Sequence, residues 1–210
     1  MYEAKEDAMK VLVIGAAGKS GEALVNEALA AGHRVMAFVR GAAQYKKANV
    51  RVVAGDVLDA AAVDVAVAGQ DAVIDALDGK TPWKVTTMET SAAHNIVDAM
   101  QRHGVRRLLK ISVMGAGESV KNAGFFNEHV LMRTFLRGLL VDKAGMEAEI
   151  ERSNLVWTLV RLPMLTDGEK TGVARVLSTE GGEKAARSGG PIWQPSWCSN
   201  LKVACMCVRQ

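Results

Sequence analysis

Cysteine is absent from residues 1–197 of this 210-residue chain, and all three that occur, Cys198, Cys205 and Cys207, stand near its end. A disulfide framework needs them distributed, so a secreted, cross-linked scaffold is excluded. The Cys205-x-Cys207 spacing suits neither a zinc knuckle nor a thioredoxin-like pair, and no metal site is expected. No run approaches the roughly 18 to 20 unbroken apolar residues of a membrane span. The opening "MYEAKEDA" mixes both charges and lacks an apolar signal region, so a cytoplasmic protein is expected, with residues 1–8 as a start-site extension. Charge of one sign is scarce too: net charge is +3 and the basic residues are scattered, which gives no footprint for nucleic acid. No internal repeat of solenoid period is found.

What is present is alternation. Apolar residues make up 49% of the chain and charged residues 23%, enough for one domain with a sizeable core. "KVLVI" reads as a buried parallel strand, and from Ser20 the apolar spacing turns helical until Gly32. "HRVMAFV" is a second strand and "VRVVAGD" a third. A short helix, "AAAVDVAVAG", leads to the strand "DAVIDAL". A helix is predicted over 85–103, a strand at "VRRLLKIS", a helix over about 127–153, and a last strand at "LVWTLVRLP". Strand and helix in turn predict an α/β domain, a doubly wound parallel sheet covered on both faces, over residues 9–176. Residues 177–210 carry Gly pairs, two prolines and the cysteines, and no element is assigned to them.

"VLVIGAAGKSGE" joins the first strand to the first helix. Gly18-Lys19-Ser20 ends like a triphosphate P-loop, but that motif needs a glycine five residues before Gly18, where Val13 stands. The dinucleotide reading fits. Gly15 permits the tight turn, Gly18 lets the backbone approach a pyrophosphate, and Gly21 lets helix and strand pack closely. The pyrophosphate would sit on the free N–H groups of the helix N-terminus. Where an acid would take the ribose 2′-hydroxyl, at the end of the second strand, the chain has Arg40 in "FVRG". A guanidinium there can grip a 2′-phosphate with two N–H groups, and Lys19 adds a second cation. The expected cofactor is therefore NADP(H).

These segments, with "VVAGDVLD", "AGQDAVIDAL", "NIVDAMQRHGVRRLLKIS" and "NLVWTLVRLP", resemble the short-chain dehydrogenase/reductase superfamily in its atypical NAD(P)-binding, Rossmann-type branch. Within it the chain is similar to the biliverdin reductase B/flavin reductase type, with NmrA-like NADP sensors as relatives. The resemblance implies that Gly15, Ala17, Gly18, Lys19, Ser20 and Gly21 line the pyrophosphate and that Arg40 meets the 2′-phosphate. Asp56 and Val57 would flank the adenine, and Ala76, Leu77 and Asp78 the ribose side. Ser112 and Val113 would lie near the nicotinamide, Lys143 would hold a ribose hydroxyl, and Leu162, Pro163 and Met164 would close over the ring. Ser112 and Lys143 are thus the expected catalytic side chains.

One departure matters. The Tyr-x-x-x-Lys pair of the superfamily has its lysine in Lys143, but four residues earlier stands Leu139, and the two tyrosines, Tyr2 and Tyr45, are far upstream. Without that phenol, ordinary ketone reduction loses its proton donor. An acceptor that takes hydride at a conjugated ring can collect its proton from solvent. The expectation is an NADPH-dependent reductase of a flavin, quinone or tetrapyrrole-like acceptor. The alternative is a non-catalytic NADP(H) sensor, and nucleotide-sugar or isomerase chemistry is a weaker third. The partner expected is a small-molecule acceptor, with no nucleic acid or membrane, and the chain a monomer or weak homodimer. Trp83, Met88, Phe125, Phe126 and Met132 could wall a flat pocket, and "VMGAGESVKNAGFFNE" reads as a lid loop. His94, His103 and His129 lack metal-ligand spacing and read as surface or satisfied side chains; His33 begins the second strand.

Overall fold

The computed structural model describes residues 8–79, 84, 86–113 and 137–162. The expected lid from residue 114 onward, Trp83, Phe125, Phe126, His129, Met132, Pro163, Met164 and the tail 177–210 lie outside the described residues.

Among the described residues six parallel strands form one sheet: β1 (Lys10–Ile14), β2 (Arg34–Val39), β3 (Val50–Ala54), β4 (Ala72–Asp75), β5 (Arg107–Val113) and β6 (Val156–Leu162), in the order β3-β2-β1-β4-β5-β6. The central strands are apolar on both faces, as a sheet covered from both sides requires. Helix α1 (Lys19–Ala30) buries Leu24, Val25 and Ala28 against Val11, Val13, Val35 and Ala37. On the opposite face α2 (Ala60–Val67), α3 (Met88–Arg102) and α4 (Arg137–Glu151) pack on Leu12, Ile14, Met36, Phe38 and Leu108. The alternation read from the sequence is the observed architecture, with α3 beginning three residues later than the predicted 85.

Glycine ends two of the helices by one device. Gly32 and Gly104 take positive φ (89° and 69°), and the residue after each donates its N–H back into the last turn, His33 to Ala28 and Val105 to Met100 (3.0 and 2.9 Å). Orphan carbonyls are satisfied and the chain turns into the next strand. The strand order reverses between β1 and β4: the two strands stay paired to their carboxyl ends, but the connections beyond them run to opposite faces, and the crevice at such a switch point is where open parallel sheets bind ligands.

Candidate functional site

The glycine turn sits at that crevice. Gly15 has φ +77°, and a Cβ on it would lie 2.9 Å from the Ala76 backbone at the end of β4. Gly21 is tighter: its Cβ would fall 2.1 Å from the Gly15 carbonyl oxygen, so only hydrogen lets α1 start this close to β1. Gly18 is the N-cap of α1, and no side chain caps the helix. Ala17, Gly18 and Lys19 are exposed and Ser20 half-buried. An uncapped, outward-facing helix start, cradled on backbone that a Cβ would fill, fits a pyrophosphate.

Arg40 follows β2 directly and is exposed. Beside it the loop into β3 is tied to α1 by Lys47, whose ammonium lies 3.3 Å from Glu22. Tyr45 belongs to this loop, and burial, then the charge of Glu22, pushes its phenol up. After β3, the Asp56 carboxylate accepts the Leu58 N–H (3.0 Å), and the carbonyl of buried Val57 accepts from Asn95 of α3 (3.0 Å). After β4, Ala76 donates its N–H to Ile14 (3.0 Å) and Leu77 donates to Asp75 (2.9 Å). Gly15, Gly18, Asp56, Ala76 and Asp78 thus all lie at strand carboxyl ends along one edge of the sheet. Val113 and Leu162 end the paired strands β5 and β6 as register partners.

Ser112 and Lys143 lie deeper than the sequence suggests. Lys143, on α4, is 2% exposed. Its ammonium contacts both oxygens of Glu89 (3.1 and 3.0 Å) and lies 3.1 Å from exposed Asp78. Glu89, in the first turn of α3, also accepts the Gly79 N–H (3.1 Å) and stands 3.4 Å from the Lys110 ammonium. Lys110, wholly buried on β5, pairs with Asp75 (3.1 Å) and donates to the Leu77 carbonyl (3.2 Å). Burial pulls the Lys110 pKa down, but Asp75 and Glu89 outweigh it and hold it above the ordinary lysine value. Ser112 donates its hydroxyl to Glu147 (2.6 Å), whose carboxylate is also gripped by Arg161 through two nitrogens (3.0 and 2.8 Å). The hydroxyl and the ammonium expected to face the reaction are therefore both engaged by buried carboxylates.

A third carboxylate orders the helix beneath. Asp142 of α4 accepts from Thr86, from the Glu89 N–H and from the Thr90 N–H (2.7, 3.1 and 2.9 Å). It caps α3 from a neighbouring helix. Burial pushes its carboxyl up, yet these hydrogen bonds prevail and hold it below the ordinary aspartate value. Of this network the sequence pointed to Ser112, Lys143 and Asp78. Glu89, Lys110, Asp142 and Arg161 were missed, although a lysine in "RLLKIS" and an arginine in "TLVRL" are charges inside buried strands, a signal for paired ions. His94 is exposed and meets Glu149 (2.8 Å), His103 meets Asp64 (3.1 Å), and His33 accepts the Met9 N–H (3.3 Å). Met88 opens α3.

Among the described residues no group of three His, Cys, Asp or Glu side chains is placed to hold a metal, and no helix is long and apolar enough to cross a membrane. The model of the family described as NAD(P)H-binding matches residues 15–189. Among curated proteins, the photosystem II assembly factor Ycf39 of Synechocystis is 26% identical over 192 residues, covering 86% of this chain and 58% of that protein. The chain thus spans little more than half the length of this curated relative. Two solved structures share the fold. ChuY, an anaerobillin reductase of Escherichia coli O157:H7, has a TM-score of 0.66 at 24% identity, covering 80% of this chain and 79% of the other. A wide-type short-chain dehydrogenase/reductase of Veillonella parvula, solved with NADP, has a TM-score of 0.72 at 16% identity, covering 92% and 84%.

Proposed function

This chain belongs to the NAD(P)H-binding family, and from that premise we propose that it is an NADPH-dependent reductase passing hydride to a conjugated, ring-shaped acceptor of the flavin, quinone or tetrapyrrole class. The observation that carries the reading is the pairing of the uncapped glycine turn with Arg40 at the end of β2. The turn receives a pyrophosphate through backbone N–H groups. Arg40, with Lys19, selects the 2′-phosphate of NADP(H) over the free hydroxyl of NAD(H). Bound NADPH supplies the hydride.

The chain's own residues position rather than protonate. Leu139 stands where a phenol would donate a proton, so the acceptor's proton comes from solvent. Asp78 is exposed beyond the carboxyl end of β4, with one oxygen 3.1 Å from the Lys143 ammonium, and would accept from a ribose hydroxyl. Glu147 fixes the Ser112 hydroxyl near the carboxyl end of β5, where it would lie beside the nicotinamide.

One observation favours a second reading, a non-catalytic NADP(H) sensor: both candidate catalytic side chains are spent on buried carboxylates. NADPH oxidation followed at 340 nm with flavins, quinones and linear tetrapyrroles, beside direct NADPH binding, separates the two. Binding with turnover of one acceptor class establishes the reductase. Binding without turnover of any establishes the sensor, and no binding overturns both.

A further inference from the structure

A second concavity lies at the opposite end of the sheet from the glycine turn. It is a groove of ≈ 860 Å³ beneath the amino ends of β1, β2 and β3, between the turn that follows α1 and the turn that follows α2. Lys10, Arg34 and Arg51 line it, with Asn49, Gln70 and Met36, and among the described residues no acidic one does. The cations come from three adjacent strands. Lys10 and Arg34 are register partners, and Arg51 pairs with Met36, two residues further along β2. Side chains alternate across a sheet, so all three share the face that carries Leu12 and Met36. With strands about 4.8 Å apart, the charges fall within about a Debye length of one another and repel.

No described residue relieves that repulsion. All three side chains are exposed, and none is ion-paired with a described residue. The adjacent carboxylate, Asp71, turns to the Lys10 backbone N–H (2.6 Å). Gly32 and Gly69, at the two turns, have positive φ, and a Cβ on either would meet no atom within 4 Å, so the walls stay open. Two guanidiniums and an ammonium form a donor set for phosphate oxygens, and the concave shape is of small-ligand size, not a flat protein interface.

We propose that this groove is a second binding site, distinct from the dinucleotide crevice, that takes a small molecule bearing two or more phosphates. Arg34 and Arg51 grip the phosphates, Lys10 adds charge, and the amides of Asn49 and Gln70 face the remainder of the ligand. Free phosphorylated compounds and the phosphates of NADP(H) itself share this chemistry.

The test is calorimetric titration of the full chain with inorganic tripolyphosphate in low salt, with NADP⁺ in saturating excess. The expected result is one tripolyphosphate site, weakened about tenfold or more in R34Q/R51Q and unmoved in R40Q. Absence of tripolyphosphate binding both with and without NADP⁺, equal affinity in R34Q/R51Q, or a loss confined to R40Q would overturn the proposal. Titration with NADPH alone decides the source: two sites per chain, one lost in R34Q/R51Q, assign the groove to the dinucleotide, and one site assigns it to another phosphorylated compound. The substituted arginines are exposed, and a thermal melt matching the parent chain confirms folding. Failure of NADP⁺ to bind would strike the reductase reading, while R40Q and R34Q/R51Q would still separate the two ends of the sheet.

Discussion

Arg40 and Glu89 are single residues with opposite demands. Arg40 is exposed, so its worth lies in what it binds. On the proposed reading, Arg40→Glu should set a carboxylate against the 2′-phosphate and weaken NADPH about 10- to 100-fold while sparing NADH, as measured by fluorescence titration of both cofactors. An unchanged preference would remove the basis for NADP(H). Glu89 is buried and faces two ammoniums, from Lys143 and Lys110. Deleting one member of a buried pair strands the other charge, at a cost of about 3–5 kcal/mol. Glu89→Leu should lose stability of that order in urea denaturation. Adding Lys143→Met should recover part of it, because one uncompensated charge is then gone.

Helix α3 draws its N-terminal order from another helix. Its N-cap, Thr87, makes no side-chain cap, and Asp142 of α4 takes the two N–H groups instead. Asp142→Ala should cost about 1–2 kcal/mol at neutral pH, the ordinary worth of a lost cap. Because the folded carboxyl titrates below its unfolded value near 4, its stabilisation is complete above that pH and disappears as pH falls through the lower folded value. The variant's deficit should therefore shrink in acid, which urea melts across pH 2 to 6 would reveal, for about the range where aspartate titrates. The contact of the same helices depends on Gly145, whose Cβ would lie 2.5 Å from the Thr90 hydroxyl. Gly145→Leu should force α3 and α4 apart and lower the melting temperature, by about 1–3 kcal/mol of overpacking.

At the scale of the molecule, one sheet presents two ends of different character. The carboxyl end carries the glycine turn and a buried ion network, and the amino end carries three cations with no ion partner among the described residues. Ligands that bind the folded chain raise its stability by mass action, so NADPH at about 100 times its Kd should add about 2.7 kcal/mol to the unfolding free energy. A thermal melt with and without NADPH checks this, and absence of a shift would contradict the dinucleotide site. Substitution at Gly21 should abolish the shift, since even Ala puts a Cβ 2.1 Å from the Gly15 carbonyl.

By itself the sequence determined whatever depends on neighbours along the chain. Apolar runs, helical spacing and terminal glycines specify the alternation of elements, because hydrogen bonding and the side-chain period are local. The glycine turn and Arg40 were legible for the same reason, as a strand end and the residues just beyond it. Tertiary structure alone decided how Ser112 and Lys143 are used. Their partners Glu147 and Glu89 stand 35 and 54 residues away, and burial makes such partners obligatory without naming them. It also decided that Lys10, Arg34 and Arg51, scattered along 42 residues, meet as one charged groove. Strand order and register bring them together, and these are set by packing across the sheet, not by any spacing along the chain.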